Sequence, residues 1–143
     1  MAEDILERTG QCLCGTVKYK AHLKNNHIDA CHCRMCQRNV GGPLMAINAN
    51  TLDVVAGEAY LGAYQSSDWA SRYFCKRCGS SLFWKMKDGS FISINAGSLD
   101  DQSDLEFTTE IFIDEKPPHY SFAEDTKKMT GAEVIAAFSA PSE

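Results

Sequence analysis

No stretch of the chain approaches the roughly 20 consecutive apolar residues that a membrane span requires. The first residues, Met1-Ala2-Glu3-Asp4-Ile5-Leu6-Glu7-Arg8, are acidic and carry no apolar core of an export signal. Basic residues are also scarce: 14 Lys and Arg stand against 19 Asp and Glu, for a net charge of −5, and they are scattered rather than striped. Nucleic acid and membrane are therefore not expected partners. A cytoplasmic location is the expectation. In that reducing compartment stable disulfides are rare.

Low-complexity segments and solenoid-length repeats are lacking too, and 143 residues with 44% apolar content suit one core. A single domain over 1–143 is expected, its core from about Arg8 to Phe138. Helix-period patterns are few. Val17, Tyr19 and Ala21 alternate with Lys18, Lys20 and His22, the period of a half-buried strand. Further strands are expected at 44–48, 52–55, 59–64, 71–74, 81–86, 91–95 and 108–113. Lys87-Asp88-Gly89-Ser90 should close a hairpin, because Asp-Gly tolerates the positive φ of a two-residue loop. Short helices are expected after Cys36 and over 130–138, where Val134, Ile135 and Phe138 share a face. Pro117-Pro118 should break the last strand, as neither donates to a ladder. The reading is a mainly β domain of hairpins and meanders.

Against these absences stand seven cysteines in three clusters: Cys12 and Cys14, then Cys31, Cys33 and Cys36, then Cys75 and Cys78. An odd number cannot all pair as disulfides, so metal binding is the better reading. On extended backbone, i and i+2 face one side, so Cys12 with Cys14 and Cys31 with Cys33 can each reach one ion. Cys75-x-x-Cys78-Gly79 has the shape of a metal knuckle, its glycine permitting the tight turn. A tetrahedral structural zinc wants four ligands, and pairs from distant segments restrict the unfolded chain most. Joining Cys12 and Cys14 to Cys75 and Cys78 meets both conditions. Cys31, Cys33 and Cys36 are then left as three thiolates with a vacant fourth position, the pattern of a catalytic zinc. Three thiolates give zinc a net −1, which blunts water activation and suits a fourth, soft sulfur ligand from a substrate thiol.

Other readings stay open from the residues alone. Iron would also accept four sulfurs. His27, His32 or His119 would close the trio into a second structural site, and a metal-free redox cluster is a further alternative. His32, between two cysteines, points away from them on extended backbone and is not expected to coordinate. Arg34, Arg38 and Lys76 are candidates to hold the carboxylates of an acidic thiol. Gly41-Gly42 reads as a turn, and Tyr64, Trp69, Tyr73, Phe74, Phe83 and Trp84 read as packing.

The series Gln11-Cys12-x-Cys14-Gly15, Cys31-His32-Cys33-x-x-Cys36, Phe74-Cys75-x-x-Cys78-Gly79-Ser80 and Ala96-Gly97-Ser98-Leu99-Asp100 resembles the glutathione-dependent formaldehyde-activating enzyme (GFA) family, which includes CENP-V-like proteins. The resemblance runs from about Cys12 to His119. It implies a mainly β fold with two zinc ions per chain: a structural one on Cys12, Cys14, Cys75 and Cys78, and a catalytic, more labile one on Cys31, Cys33 and Cys36. It also implies carbon–sulfur lyase chemistry, glutathione and formaldehyde being joined as S-hydroxymethylglutathione. Pro117-Pro118-His119 and Asp125-Thr126-Lys127 depart from the family pattern, so a different C-terminal wall of the pocket is expected. A zinc-stapled, non-catalytic binding module is the alternative, and the third cysteine of the trio argues against it.

Overall fold

The computed structural model describes residues 6–139. They form two compact units, one of the described residues up to Asn26 with Ala46–Leu105, the other of His27–Met45 with the described residues from Glu106 onward. Two strands, β2 (Lys18–Cys31) and β3 (Leu44–Ala56), are long enough to begin in one unit and end in the other.

The first unit is β-sheet. β1 (Glu7–Gln11) pairs antiparallel with β2, Gly10 opposite Tyr19. The sheet continues from β2 through β3, β7 (Ile92–Asn95), β6 (Ser81–Met86) and β5 (Ala70–Cys75) to the edge strand β4 (Leu61–Tyr64). Alternation does what the sequence promises in β2: Tyr19, Ala21 and Leu23 are buried while Lys18 and Lys20 face solvent. Leu82, Phe83, Ile92, Ile94 and Ile47 complete the core, with Tyr73 stacked on Phe83 at 4.7 Å. Each large apolar side chain removed from water contributes about 1.5–3 kcal/mol.

The β6–β7 hairpin forms as expected, but its loop is longer than two residues. The Gly89 amide donates to Met86 O and the Met86 amide to Phe91 O, and Gly89 alone in the loop takes a positive φ, 77°. Residues 44–48 and 52–55 belong to one continuous strand, since Asn48–Thr51 stays extended. The expected 59–64 strand begins only at Leu61, after a 3-10 turn over Glu58–Tyr60.

In the second unit the end of β2 pairs parallel with β8 (Glu106–Ile111), Cys31 opposite Ile111, and β8 pairs parallel with β9 (Lys127–Met129). β8 stops well short of Pro117-Pro118. Phe112 turns the chain with a left-handed φ of 55°, so that residue, not the prolines, ends the strand.

Helix α1 (Arg34–Val40) starts before Cys36 rather than after it, because Cys33 caps it: the Cys36 amide donates to Cys33 Sγ at 3.3 Å. Gly41, at φ 82°, ends it by donating to Gln37 O, the turn expected of Gly41-Gly42. Helix α2 (Gly131–Ser139) matches the expected C-terminal helix and buries Val134, while Ile135 and Phe138 remain exposed.

Candidate metal centres

Cys12 directly follows β1 and Cys14 lies in the turn that leads into β2, where the Gly15 amide donates to Cys12 O and Gly15 has a φ of 78°. The pair therefore converges through a turn, not through the extended backbone the spacing suggests. Cys75 ends β5, and the Gly79 amide donates to its carbonyl with Gly79 at φ 81°, the knuckle shape read from Cys75-x-x-Cys78-Gly79.

The four sulfurs of Cys12, Cys14, Cys75 and Cys78 all lie within 4.8 Å of one another. Cys12 and Cys14 are 3.6 Å apart, and Cys14 and Cys75 3.9 Å. Backbone N–H groups aim at these sulfurs: Val17 at Cys12 Sγ (3.3 Å), and Arg77 and Cys78 at Cys75 Sγ (both 3.4 Å). Such donors stabilise thiolate over thiol. Hydrogen bonds from Ser80 pull Cys78 down to about 5, and Thr16 lowers Cys14, whereas burial pushes Cys75 up. A soft, cation-demanding tetrad results, and its donor set fits zinc.

Cys31, Cys33 and Cys36 form the second cluster, their sulfurs also within 4.8 Å of one another. Cys31 ends β2, Cys33 caps α1 and Cys36 sits on its buried side, so strand end and helix start together aim three thiols at one point. Cys31 is pushed strongly upward by its thiol neighbours Cys33 and Cys36 and by burial. Three crowded sulfurs cannot all ionise without a cation between them, which is the state a metal would relieve. The trio fits a soft divalent ion with three protein ligands. Among the described residues no His, Asp, Glu or further Cys joins it within that distance, His27, His32 and His119 included. None of the seven cysteines is in a disulfide.

His32 is fully buried and committed elsewhere. Nε2 lies 2.8 Å from Glu110 Oε1 and Nδ1 2.9 Å from the Tyr120 hydroxyl. The other oxygen of Glu110 accepts from Thr126 (2.6 Å) and lies 3.7 Å from Lys128 Nζ. Burial alone would raise the Glu110 carboxyl, but Thr126, His32 and Lys128 together hold it low. Glu110 is thus a buried carboxylate that accepts from His32 Nε2–H, and the other ring nitrogen, Nδ1, pairs with the Tyr120 hydroxyl. Glu110, Tyr120 and Thr126 are residues that sequence reasoning missed. They lie 78 to 94 positions from His32, and only an acid placed inside an otherwise half-apolar strand hinted at them.

Beside α1 a cavity of about 410 Å³ is lined by Arg34, Arg38, His119, Tyr120 and Phe122, with Gly41 and Gly42 on one side. Of the three cations named from sequence, Arg34 and Arg38 meet here, while Lys76 belongs to the other unit. Phe83 packs in the core as expected, but Tyr64 and Trp69 are 66% and 53% exposed, so these two are surface groups rather than core packing.

The sequence profile of the family described as glutathione-dependent formaldehyde-activating enzyme matches residues 7–115. The chain belongs to the GFA family. A GFA relative from Schizosaccharomyces pombe, described as an uncharacterized lyase, is 33% identical over 130 residues, spanning 90% of this chain and 95% of its own. A crystal structure of a Rhodobacter sphaeroides protein, 27% identical, superposes with a TM-score of 0.57, covering 70% of this chain and 99% of that one. The mainly β fold and the family resemblance read from the cysteine clusters both hold. The GFA match runs through both cysteine sets and ends at Glu115, before the cavity residues His119, Tyr120 and Phe122.

Proposed function

We propose that this GFA-family protein is a zinc-dependent carbon–sulfur lyase-type enzyme that makes or breaks the adduct of a thiol and a small aldehyde, with glutathione and formaldehyde as the pair. The observation that carries the reading is the convergence of three sulfurs, Cys31, Cys33 and Cys36, with no fourth protein ligand beside them among the described residues. Family membership and the lyase description of the yeast relative support the same class.

In this reading Cys12, Cys14, Cys75 and Cys78 hold a structural zinc, and Cys31, Cys33 and Cys36 a second. Zinc in the three-cysteine site supplies a soft Lewis acid that favours the thiolate form of a substrate thiol at neutral pH. The protein's part is positional. Cys33 and Cys36 are fixed by the helix start, Cys31 by its strand pairing with Ile111, so the three sulfurs are held close to one another by regular structure. Holding sulfur and aldehyde carbon together turns a bimolecular encounter into a local one. The balance is simple: a carbon–sulfur bond forms, the carbonyl π pair moves to oxygen, and the thiol proton ends on that oxygen. The lyase direction reverses each change.

The test is exchange-resolved NMR of glutathione and formaldehyde with zinc-loaded protein, because thiols add to formaldehyde unaided and end-point yields say little. Exchange between free and adduct glutathione should accelerate with wild type over the Cys36→Ser variant. Equal exchange with both would falsify the activity.

A further inference from the structure

His32 stands between two of the three clustered cysteines, and each of its polar groups is engaged. Its amide donates to Ile111 O at 3.0 Å and its carbonyl accepts from Gln37 Nε2 at 2.6 Å. On the ring, Nε2 lies 2.8 Å from Glu110 Oε1 and Nδ1 2.9 Å from the Tyr120 hydroxyl. The rings of Tyr120 and Phe122 flank the imidazole, each 6.0 Å from it between centroids.

These ties reach all three sulfurs. The amide bond to Ile111 carries the β2–β8 pairing one residue past Cys31, and Cys33 is itself extended, at φ −62° and ψ 152°. Alternate residues of extended backbone face one side, so drawing the imidazole towards Glu110 turns Cys31 and Cys33 the other way together. Gln37, the residue after Cys36, joins α1 to the His32 carbonyl and to Glu115 O at 3.0 Å, so the helix that carries Cys36 is held against the same residue. Glu110 is fixed in turn by its place in β8, by Thr126 and by Lys128.

Apolar residues of similar volume in place of a buried polar pair are often neutral or stabilising, so stability alone gives no reason for a carboxylate and an imidazole here. Direction gives one. Apolar contact is non-directional, whereas an imidazole bonded at both nitrogens is fixed in plane and tilt. We infer that His32 is a positioning residue for the three-cysteine site: held by Glu110 and Tyr120, it sets the directions of Cys31, Cys33 and Cys36 before a metal arrives. The inference rests on the metal reading of the trio, not on the lyase chemistry, and gives His32 no contact with metal or substrate.

The probe is cobalt(II), titrated into full-length protein that keeps zinc on the quartet after a mild chelator has emptied the trio, and followed by its thiolate charge-transfer and visible bands. The informative variant is His32→Leu/Glu110→Leu, which strands no buried charge. Its cobalt dissociation constant should rise roughly 10–100-fold, the range typical when groups that orient metal ligands are removed. Its visible bands should weaken as the sulfurs lose their shared geometry. His32→Gln keeps an N–H donor for Glu110 and should recover part of the affinity. Tyr120→Phe removes one hydroxyl and should cost a few-fold. Zinc retained on the quartet, read by metal analysis, should be the same in every variant. A pair that only stabilised the fold would leave the trio indifferent to its removal. Wild-type cobalt affinity in the double variant, or in Tyr120→Phe should the double variant not fold, would therefore overturn the positioning role and leave the metal reading standing. A wild-type protein that takes up no cobalt at the trio would overturn both. Failure of the exchange test with glutathione and formaldehyde would remove the lyase reading alone.

Discussion

A histidine between two metal-type cysteines invites a ligand role, and at residue scale the molecule uses it otherwise. His32 is held on both nitrogens, by Glu110 and by Tyr120, and Glu110 is itself 1% exposed. A buried carboxylate that loses its partner is costly, about 3 kcal/mol or more, whereas removing both members together leaves no stranded charge. His32→Leu should therefore lower the urea midpoint of the zinc-loaded protein markedly. The double variant His32→Leu/Glu110→Leu should recover part of that loss. Strict additivity of the two single effects would mean that the pair is not coupled. Gly57 is a second residue with a narrow choice. Its φ is 75°, and an added Cβ would sit 2.0 Å from Thr16 O, a backbone atom that cannot swing aside. Gly57→Ala should cost roughly 3 kcal/mol or more, read from the same unfolding midpoint.

Among the elements, α2 has the clearest local code. Thr130 Oγ1 accepts from the Glu133 amide (3.2 Å) and Glu133 Oε1 from the Thr130 amide (2.8 Å), a reciprocal capping box. Thr130→Ala should cost about 1 kcal/mol, measurable in the stability of the helix. The hydrogen bond from the Thr130 amide, followed by the Thr130 hydroxyl, holds the Glu133 carboxyl below its ordinary value. The sign follows: its contribution is complete above the unfolded pKa and is lost as pH falls through the lower, folded value. The protection factor of the Thr130 amide, its exchange rate divided into the intrinsic rate at each pH, should fall across that acidic window and stay flat near neutrality.

Elements governed by local rules were legible in the sequence: the alternating start of β2, the β6–β7 hairpin at Gly89, the knuckle at Gly79 and α2. Those set by partners were not. β1 (Glu7–Gln11) has no hydrophobic alternation and exists by pairing with Lys18–His22, and the three-residue β9 exists by pairing with Thr109–Ile111. Cys33 as a helix cap shifted α1 forward, because a thiol accepting from an amide is not a usual start signal. The sorting of sulfurs into four and three was readable from spacing, while the Glu110–His32–Tyr120 chain, joined only through tertiary packing, was not.

At the scale of the whole molecule the two cysteine sets fall in different compact units, the quartet with β1 and β4 to β7 and the trio with α1, β8 and β9. The consequences of metal loss should therefore differ. Cys14 and Cys75 are 61 residues apart in sequence, so a metal there closes a long loop and restricts the unfolded chain of its own unit heavily. Cys31, Cys33 and Cys36 lie within six consecutive residues, and a metal there closes almost no loop. Metal binding at the quartet would thus be folding free energy, and at the trio it mostly would not. Metal analysis should return about two zinc ions per chain, one removed by a mild chelator with the circular dichroism of the β-sheet intact. Cys75→Ser should abolish the folded spectrum of the first unit, and Cys36→Ser should keep it while binding a single ion. Equal structural damage from both substitutions would mean that the trio is a closed structural site, because only a site that helps hold the fold together can unravel it when emptied.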